Sequence, residues 1–206
     1  MRNIFLALLL LFPLVASAQD NTWEQPEEEQ LKEVEQKINP DQKYLVGAVP
    51  LVNGRVEFTK HIDASGKSAD DIYSALLKYV VRMTKESNQL DATQLLSEDS
   101  IAHVITARFE EWLVFKKNAI SLDRTRFYYA LEIKCQDGSA DIRLSHIRYL
   151  YDENRQPQRY KAEEWITDKE AVNKKNTKLL PLSGKFRRKT IDRKDFLFNK
   201  FETLLK

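Results

Sequence analysis

The chain's three histidines, His61, His103 and His146, are its most versatile side chains, since a neutral imidazole ligates metals and titrates near neutral pH. They stand far apart, without the short paired spacing of zinc motifs, and each falls in a stretch of strand character. A site shared across adjacent strands is geometrically conceivable, but this spacing favours separate structural histidines. Glu110 and Glu111 beside Trp112 suggest acid–base work on a sugar. Adjacent strand residues point to opposite faces, so the two carboxylates cannot face one another unless a bulge intervenes. Gly66-Lys67-Ser68 imitates the end of a phosphate-binding loop, which needs a further glycine where this chain has His61. The stretch reads instead as a turn followed by a helix cap. The single cysteine, Cys135, excludes an intramolecular disulfide and, on the apolar side of its strand, reads as a small buried hydrophobe. H-E-x-x-H, C-x-x-C, G-x-S-x-G and G-x-G-x-x-G do not occur, so no catalytic residue, metal ligand or cofactor is expected.

Two further groups suggest binding rather than catalysis. Lys185, Arg187, Arg188 and Lys189 surround Phe186, and the stretch 159–189 holds ten Lys/Arg against four Asp/Glu. Such a run can meet an anionic lipid, glycan or protein by Coulomb attraction, although a solvated surface is the simpler reading. Tyr128, Tyr149 and Tyr151 are candidates for an aromatic contact surface on the outer side of a sheet. Solvent-exposed, they favour a partner surface, whereas a lined interior void favours a carrier for a small apolar ligand.

These residues are positioned by elements that the sequence marks clearly. Asp137-Gly138 is a two-residue hairpin turn, because both central positions need positive φ. It sets Cys135 opposite Ala140, Ile133 opposite Ile142 and Leu131 opposite Leu144 on one face. Glu132 then faces Arg143 and Lys134 faces Asp141 on the other. Beyond Leu144 the apolar parity flips to Ile147, Tyr149 and Tyr151, which requires a bulge near Ser145 or a cover over the outer face. Asn53-Gly54 turns into a strand with Val56, Phe58 and Ile62 inward. Ser68 caps a helix running to about Ser87 with Ile72, Leu76, Tyr79, Val80 and Met83 on one stripe. Ile101 to Lys117 is strand-patterned with Ile101 on the apolar parity, and is long enough to need a bend between Ala107 and Glu110. A last helix is expected from a cap at Asp192, after a break at Pro181 and Gly184.

Residues 1–18 read as a signal segment: Arg2, an apolar run from Ile4 to Val15, and Ala16-Ser17-Ala18 before a cleavage at Gln19. The run falls short of the about 20 apolar residues of a spanning helix, and no cysteine offers a lipid attachment site. Residues 19–43 form an acidic arm with eight Asp/Glu against three Lys, and 44–206 a single folded domain. The expected protein is exported, periplasmic or associated with the outer envelope, and carries no transmembrane segment after cleavage.

The stretches GAVPLVNGRVEF (47–58), GKSADDIY (66–73), EEWLVF (110–115), IRYLYD (147–152), AEEWI (162–166) and GKFRRKTID (184–192) resemble a family of exported bacterial domains, found mainly in Bacteroidetes-type bacteria. That family is known as a domain of unknown function with a TATA-box-binding-protein-like fold. The resemblance spans about residues 45–205 and implies a strand, a helix, several strands and a final helix. It implies no catalytic residue, cofactor or ligand. The namesake's nucleic-acid binding does not carry over, because fold does not determine function. The expected architecture is a two-layer α+β domain with a curved antiparallel sheet of four or five strands and two main helices on one face. The expected function is a non-enzymatic binding or interaction module. A carrier with an apolar cavity between sheet and helix is the first alternative and a hydrolase the second.

Overall fold

In the computed structural model, which describes residues 39–206, a short 3-10 turn at Gln42–Tyr44 precedes β1 (Leu51–Val52), β2 (Arg55–Val56) and β3 (Phe58–Asp63). Then come α1 (Ala69–Met83), β4 (Gln94–Asp99), β5 (Val104–Lys117), β6 (Leu122–Gln136), β7 (Ser139–Tyr151) and β8 (Gln158–Lys161). Three helices close the chain: α2 (Ala162–Trp165), α3 (Asp168–Ala171) and α4 (Ser183–Leu205). The signal segment and residues 19–38 of the acidic arm lie outside the described residues. The compact unit starts at Pro40, so the last residues assigned to the arm belong to the domain. There Lys43 and Tyr44 both donate to Asp192 at 2.7 Å, and Arg188 pairs with Asp41.

β1 and β2 form a separate hairpin through Asn53 and Gly54, both at positive φ. The main sheet is antiparallel in the order β3-β7-β6-β5-β4, with β8 added to β7, which makes six strands where four or five were expected. The extra strands are β4 and β8, whose side chains are mostly exposed and so lack an apolar alternation. α1 and α4 pack against one face. Between them and the sheet lies the core, with Phe109, Phe127, Tyr129, Leu131, Ile142, Tyr149, Phe186 and Phe201 essentially solvent-free.

The hairpin has the expected register from Cys135↔Ala140 to Leu131↔Leu144, with Glu132 opposite Arg143 and the pair closed at 3.0 Å. Asp141 lies opposite Lys134 but its carboxylate turns to His61 on β3, at 2.7 Å. The turn also seats α1: Asp137 accepts from the Ala69 N–H at 2.8 Å, and the Gly138 N–H donates to Lys67 O at 2.9 Å. The Ser68 hydroxyl accepts from the Asp71 N–H, capping the helix as expected, and the helix ends at Met83.

The parity flip on β7 is a bulge. Ala130 pairs with Ser145 but Tyr128 with Arg148, so His146 and Ile147 together oppose Tyr129, and His146 takes a positive φ of 55°. β5 differs from expectation. Its irregularity falls at Val114/Lys116 instead of 107–110, and Ile101 sits in the turn before it, 92% exposed. Asp99 Oδ1 accepts from the N–H groups of Ile101 and Ala102, so a side-chain-closed turn interrupts the strand pattern. α4 also differs, starting at Ser183 rather than after Asp192. Gly184 does not break the chain there. A Cβ at this position would stand 2.6 Å from Leu179 Cβ, so glycine is what lets the helix approach that strap.

Cys135 is buried, and burial pushes its thiol up to about 11, which fits a core hydrophobe. Among the described residues no helix is long and apolar enough to cross a membrane.

Candidate functional site

The basic run does not form one patch. It occupies the first turns of α4, where helical periodicity distributes the side chains around the axis. Arg187 points inward and is fully buried. Its guanidinium donates to the carbonyls of Tyr44, Leu45 and Ile166 at 2.5–2.7 Å and to Asp168 at 2.6 Å. Burial draws its pKa down, against the pull of Asp168. Lys185 donates to Asp123 at 2.7 Å and to Tyr151, and lies over the Phe115 and Tyr151 rings. Arg188 pairs with Asp41 and rests near the Tyr44 ring. Lys189 is half-buried and, alone of the four, has no ionic partner among the described residues. The cations therefore fasten distant segments to the helix.

The tyrosines also part company. Because the bulge at His146 turns the rest of β7 over, Tyr149 faces the core, buried and bonded to Thr190 Oγ1 at 2.7 Å. Tyr151 is half-buried on the same side and donates to Asp123. Only Tyr128 faces outward. The histidines stay separate: His61 contacts Asp141, His103 contacts Asp70 at 2.8 Å, and His146 Nδ1 lies 3.0 Å from Ser145 Oγ. Among the described residues no cluster of three or more His, Cys, Asp or Glu could hold a metal. Glu110 and Glu111 do take opposite faces. Glu111 pairs bidentately with Arg193 of α4, while Glu110 pairs with Arg126 at 2.7 Å on the outer side.

The outer face carries a concave feature that the sequence left unmarked. Ala130 of β6 lines it beside its cross-strand partner, the buried Ser145 of β7, with Thr106 and Arg108 beyond on β5. Small side chains mid-sheet leave a depression, and the bulge next to Ser145 increases the local twist. The result is an open groove of about 810 Å³. One wall is the segment from Gln89 to Thr93, which lies over β5. Its Leu90 N–H donates to Glu110 O at 2.8 Å, and its Ala92 N–H donates to the Glu110 carboxylate at 2.9 Å. Burial alone would raise the pKa of Glu110. The Arg126 guanidinium, the Ala92 N–H and the Tyr128 hydroxyl outweigh it and hold the carboxyl below its usual range, so this wall is anchored by a charge.

The opposite end of the groove is cationic. Arg148 and Lys161 are direct neighbours across β7 and β8, and Leu150 and Arg159 are the next pair on the same face. Lys161 is 3.3 Å from Glu164, whereas Arg148 and Arg159, both exposed, have no ionic partner among the described residues. Arg108, at the other end, gives its Nε–H to Ala92 O. Tyr128, Leu96 and Leu150 add apolar surface between the two ends. The groove lies on the face away from α1 and α4, not in the sheet–helix interior where an apolar carrier would hold its cargo. The one outward signal in sequence was the parity flip on β7, which sends Arg148 and Leu150 to this face.

No curated protein matches the chain. The profile of a family described as a domain of unknown function with TBP-like fold, DUF4468, matches residues 58–150. A crystal structure of a DUF4468 family protein from Bacteroides ovatus is 39% identical, covering 80% of this chain and 94% of that one, with a TM-score of 0.75. A TBP-like protein from Parabacteroides distasonis superposes with a TM-score of 0.63 over 76% of this chain and 96% of its own, at 20% identity, a likeness of fold. With that identity and a TM-score of 0.75 over nearly the whole length of the first relative, the chain belongs to the DUF4468 family of TBP-like domains.

Proposed function

We propose that this protein is a non-enzymatic binding module that takes an anionic ligand in the groove on the open face of its sheet. The observation that carries the reading is the pair of guanidiniums, Arg148 and Arg159, without ionic partners at the rim of a concave surface with apolar floor. The basic run, by contrast, is matched with carboxylates at every member except Lys189. Binding also accounts better than hydrolysis for Ser145 and His146. The serine is 4% exposed, and no carboxylate among the described residues orients the imidazole as a catalytic base requires. The test is fluorescence titration with anilinonaphthalene sulfonate, an aromatic anion. Saturable binding is expected, weakened at least about tenfold when Arg148 and Arg159 are both changed to glutamine, as the loss of two charge-assisted contacts implies. Equal binding by the parent and the double variant would overturn the reading.

The same proposal places the protein outside the cytoplasm, on the strength of the n-region, apolar run and small-residue cleavage site in residues 1–18. The ligand is then an anionic component of the periplasm or outer envelope. Intact mass of the protein recovered from that compartment should correspond to a chain beginning at Gln19. Retention of Met1 to Ala18 would contradict it.

A further inference from the structure

From the uneven distribution of charge along the groove, we infer that its ligand is a long-chain carboxylate, a fatty acid lying across the sheet with its head at Arg148 and Arg159. This inference rests on the groove being the binding surface and adds the class of molecule that fills it.

The two ends of the groove differ in kind. At the β7–β8 end, Arg148 and Arg159 stand one diagonal step apart on the same face, each free to form the two parallel N–H···O bonds that a planar carboxylate accepts. Glu164 lines the same end and already engages Lys161. That carboxylate repels a dianion about twice as strongly as a singly charged head. Away from this end the lining is Leu150 beside the head, Ala130 on β6, Thr106 and Arg108 on β5, and Leu96 at the β4 bulge. Arg108, the remaining cation, has its Nε–H committed to Ala92 O. A polyanion would need charges repeated along the groove, and a glycan would need donors and acceptors along its floor. The observed order, three cations at one end and a mostly apolar surface holding the single cation Arg108 toward the other, matches a head and a tail. From β7 to β4 is three strand spacings, about 14 Å at the usual separation of about 4.8 Å, which sets the scale of the tail.

The bulge supplies the shape. With Tyr128 paired to Arg148 and Ala130 to Ser145, the extra residue of β7 brings His146 to the groove's lining instead of to the core face opposite Tyr129. A regular ladder would have set Ile147 opposite Tyr128, where Arg148 now stands.

The experiment is displacement of anilinonaphthalene sulfonate from the full chain by hexanoate, decanoate and dodecanoate, each below its micellar concentration. Dodecyl phosphate, dodecyltrimethylammonium, a sulfated polysaccharide and polyglutamate serve as comparisons. Affinity for the carboxylates should rise roughly two- to fourfold per methylene, the lower end reflecting an open groove. Dodecyltrimethylammonium should not compete. Ala130→Leu, which fills the floor, should weaken dodecanoate at least fivefold while leaving hexanoate nearly unchanged, with an unaltered melting temperature showing that the fold is intact. Preference for dodecyl phosphate over dodecanoate would overturn the assignment of a carboxylate head. If the polysaccharide or polyglutamate competes in an Arg148- and Arg159-dependent way and the fatty acids do not, the ligand class is wrong and the groove remains the binding surface. If no anion depends on those arginines, the groove reading falls as well.

Discussion

Replacing Arg187 by alanine is expected to destabilise the domain by about 3–5 kcal/mol, the usual cost of removing one partner from a buried ion pair. Such a loss lowers the melting temperature of a domain this size by roughly 6–20 °C. The side chain is fully buried, and its removal strands the carbonyls of Tyr44, Leu45 and Ile166 in a site closed to water. It also frees Asp168, whose other oxygen holds the Gly47 N–H at 2.9 Å. One guanidinium thus joins the chain entry, the α2–α3 segment and the long helix. Arg187→Lys should recover only part of the loss, because an ammonium cannot reach several acceptors with the fixed fork of a guanidinium. Arg187→Met restores volume but no donor and should remain close to alanine. Denaturant unfolding of the three variants measures this ordering. A loss below about 1 kcal/mol for Arg187→Ala would place the residue among ordinary surface cations.

Phe186→Ala is expected to cost about as much, roughly 3–5 kcal/mol, as for a large aromatic removed from a packed core. Its ring lies within 4.7–6.0 Å of five others, Phe115, Tyr149, Tyr151, Tyr160 and Trp165, mostly edge to face. These come from β5, β7, β8 and α2, so the cavity would loosen the edge that carries Arg159 and Lys161. Phe186→Leu should retain most of the packing and lose about half as much. Thermal unfolding followed by near-ultraviolet circular dichroism reads both the stability and the order of the tyrosine cluster. An Ala variant melting with the parent would show that the cluster does not depend on this ring.

Both residues sit in the stretch whose charge density reads most readily as surface. Nothing local marks Arg187 as buried, because its partners come from residues 19 to 143 positions away, and those of Arg188 and Lys185 lie 147 and 62 away. A charge run is legible, but its counter-charges are tertiary. The early start of α4 was hidden for a related reason: Gly184 resembles a breaker in sequence and serves in space as a close-approach residue against Leu179. By contrast, the β6–β7 register follows from interactions that are local. Asp137-Gly138 dictates the turn, and Leu131, Ile133 and Cys135 then leave one alternation that buries them. The Ser68 cap was readable in the same way.

The groove falls between these cases. Its bulge announced itself as a parity flip between Leu144 and Ile147, yet what the flip does to function was not visible. Turning β7 over takes Tyr149 and Tyr151 into the core and brings Arg148 and Leu150 out, reversing which residues of that strand a ligand meets. The remaining lining comes from β4, β5, β6, β8 and the Gln89–Thr93 wall, held by the buried Glu110. Edge strands with exposed side chains on both faces give no periodic signal, so neither β4 nor β8 could be placed in advance.

The most direct test of the central claim is amide chemical-shift mapping of the full chain titrated with dodecanoate. The account predicts saturable shifts concentrated at Thr106, Ala130, Ser145, Arg148, Leu150 and Arg159, on the outer positions of four adjoining strands, with α1 and the interior of α4 unmoved. Shifts centred on the helices or between them and the sheet, or a response that never saturates, would contradict it.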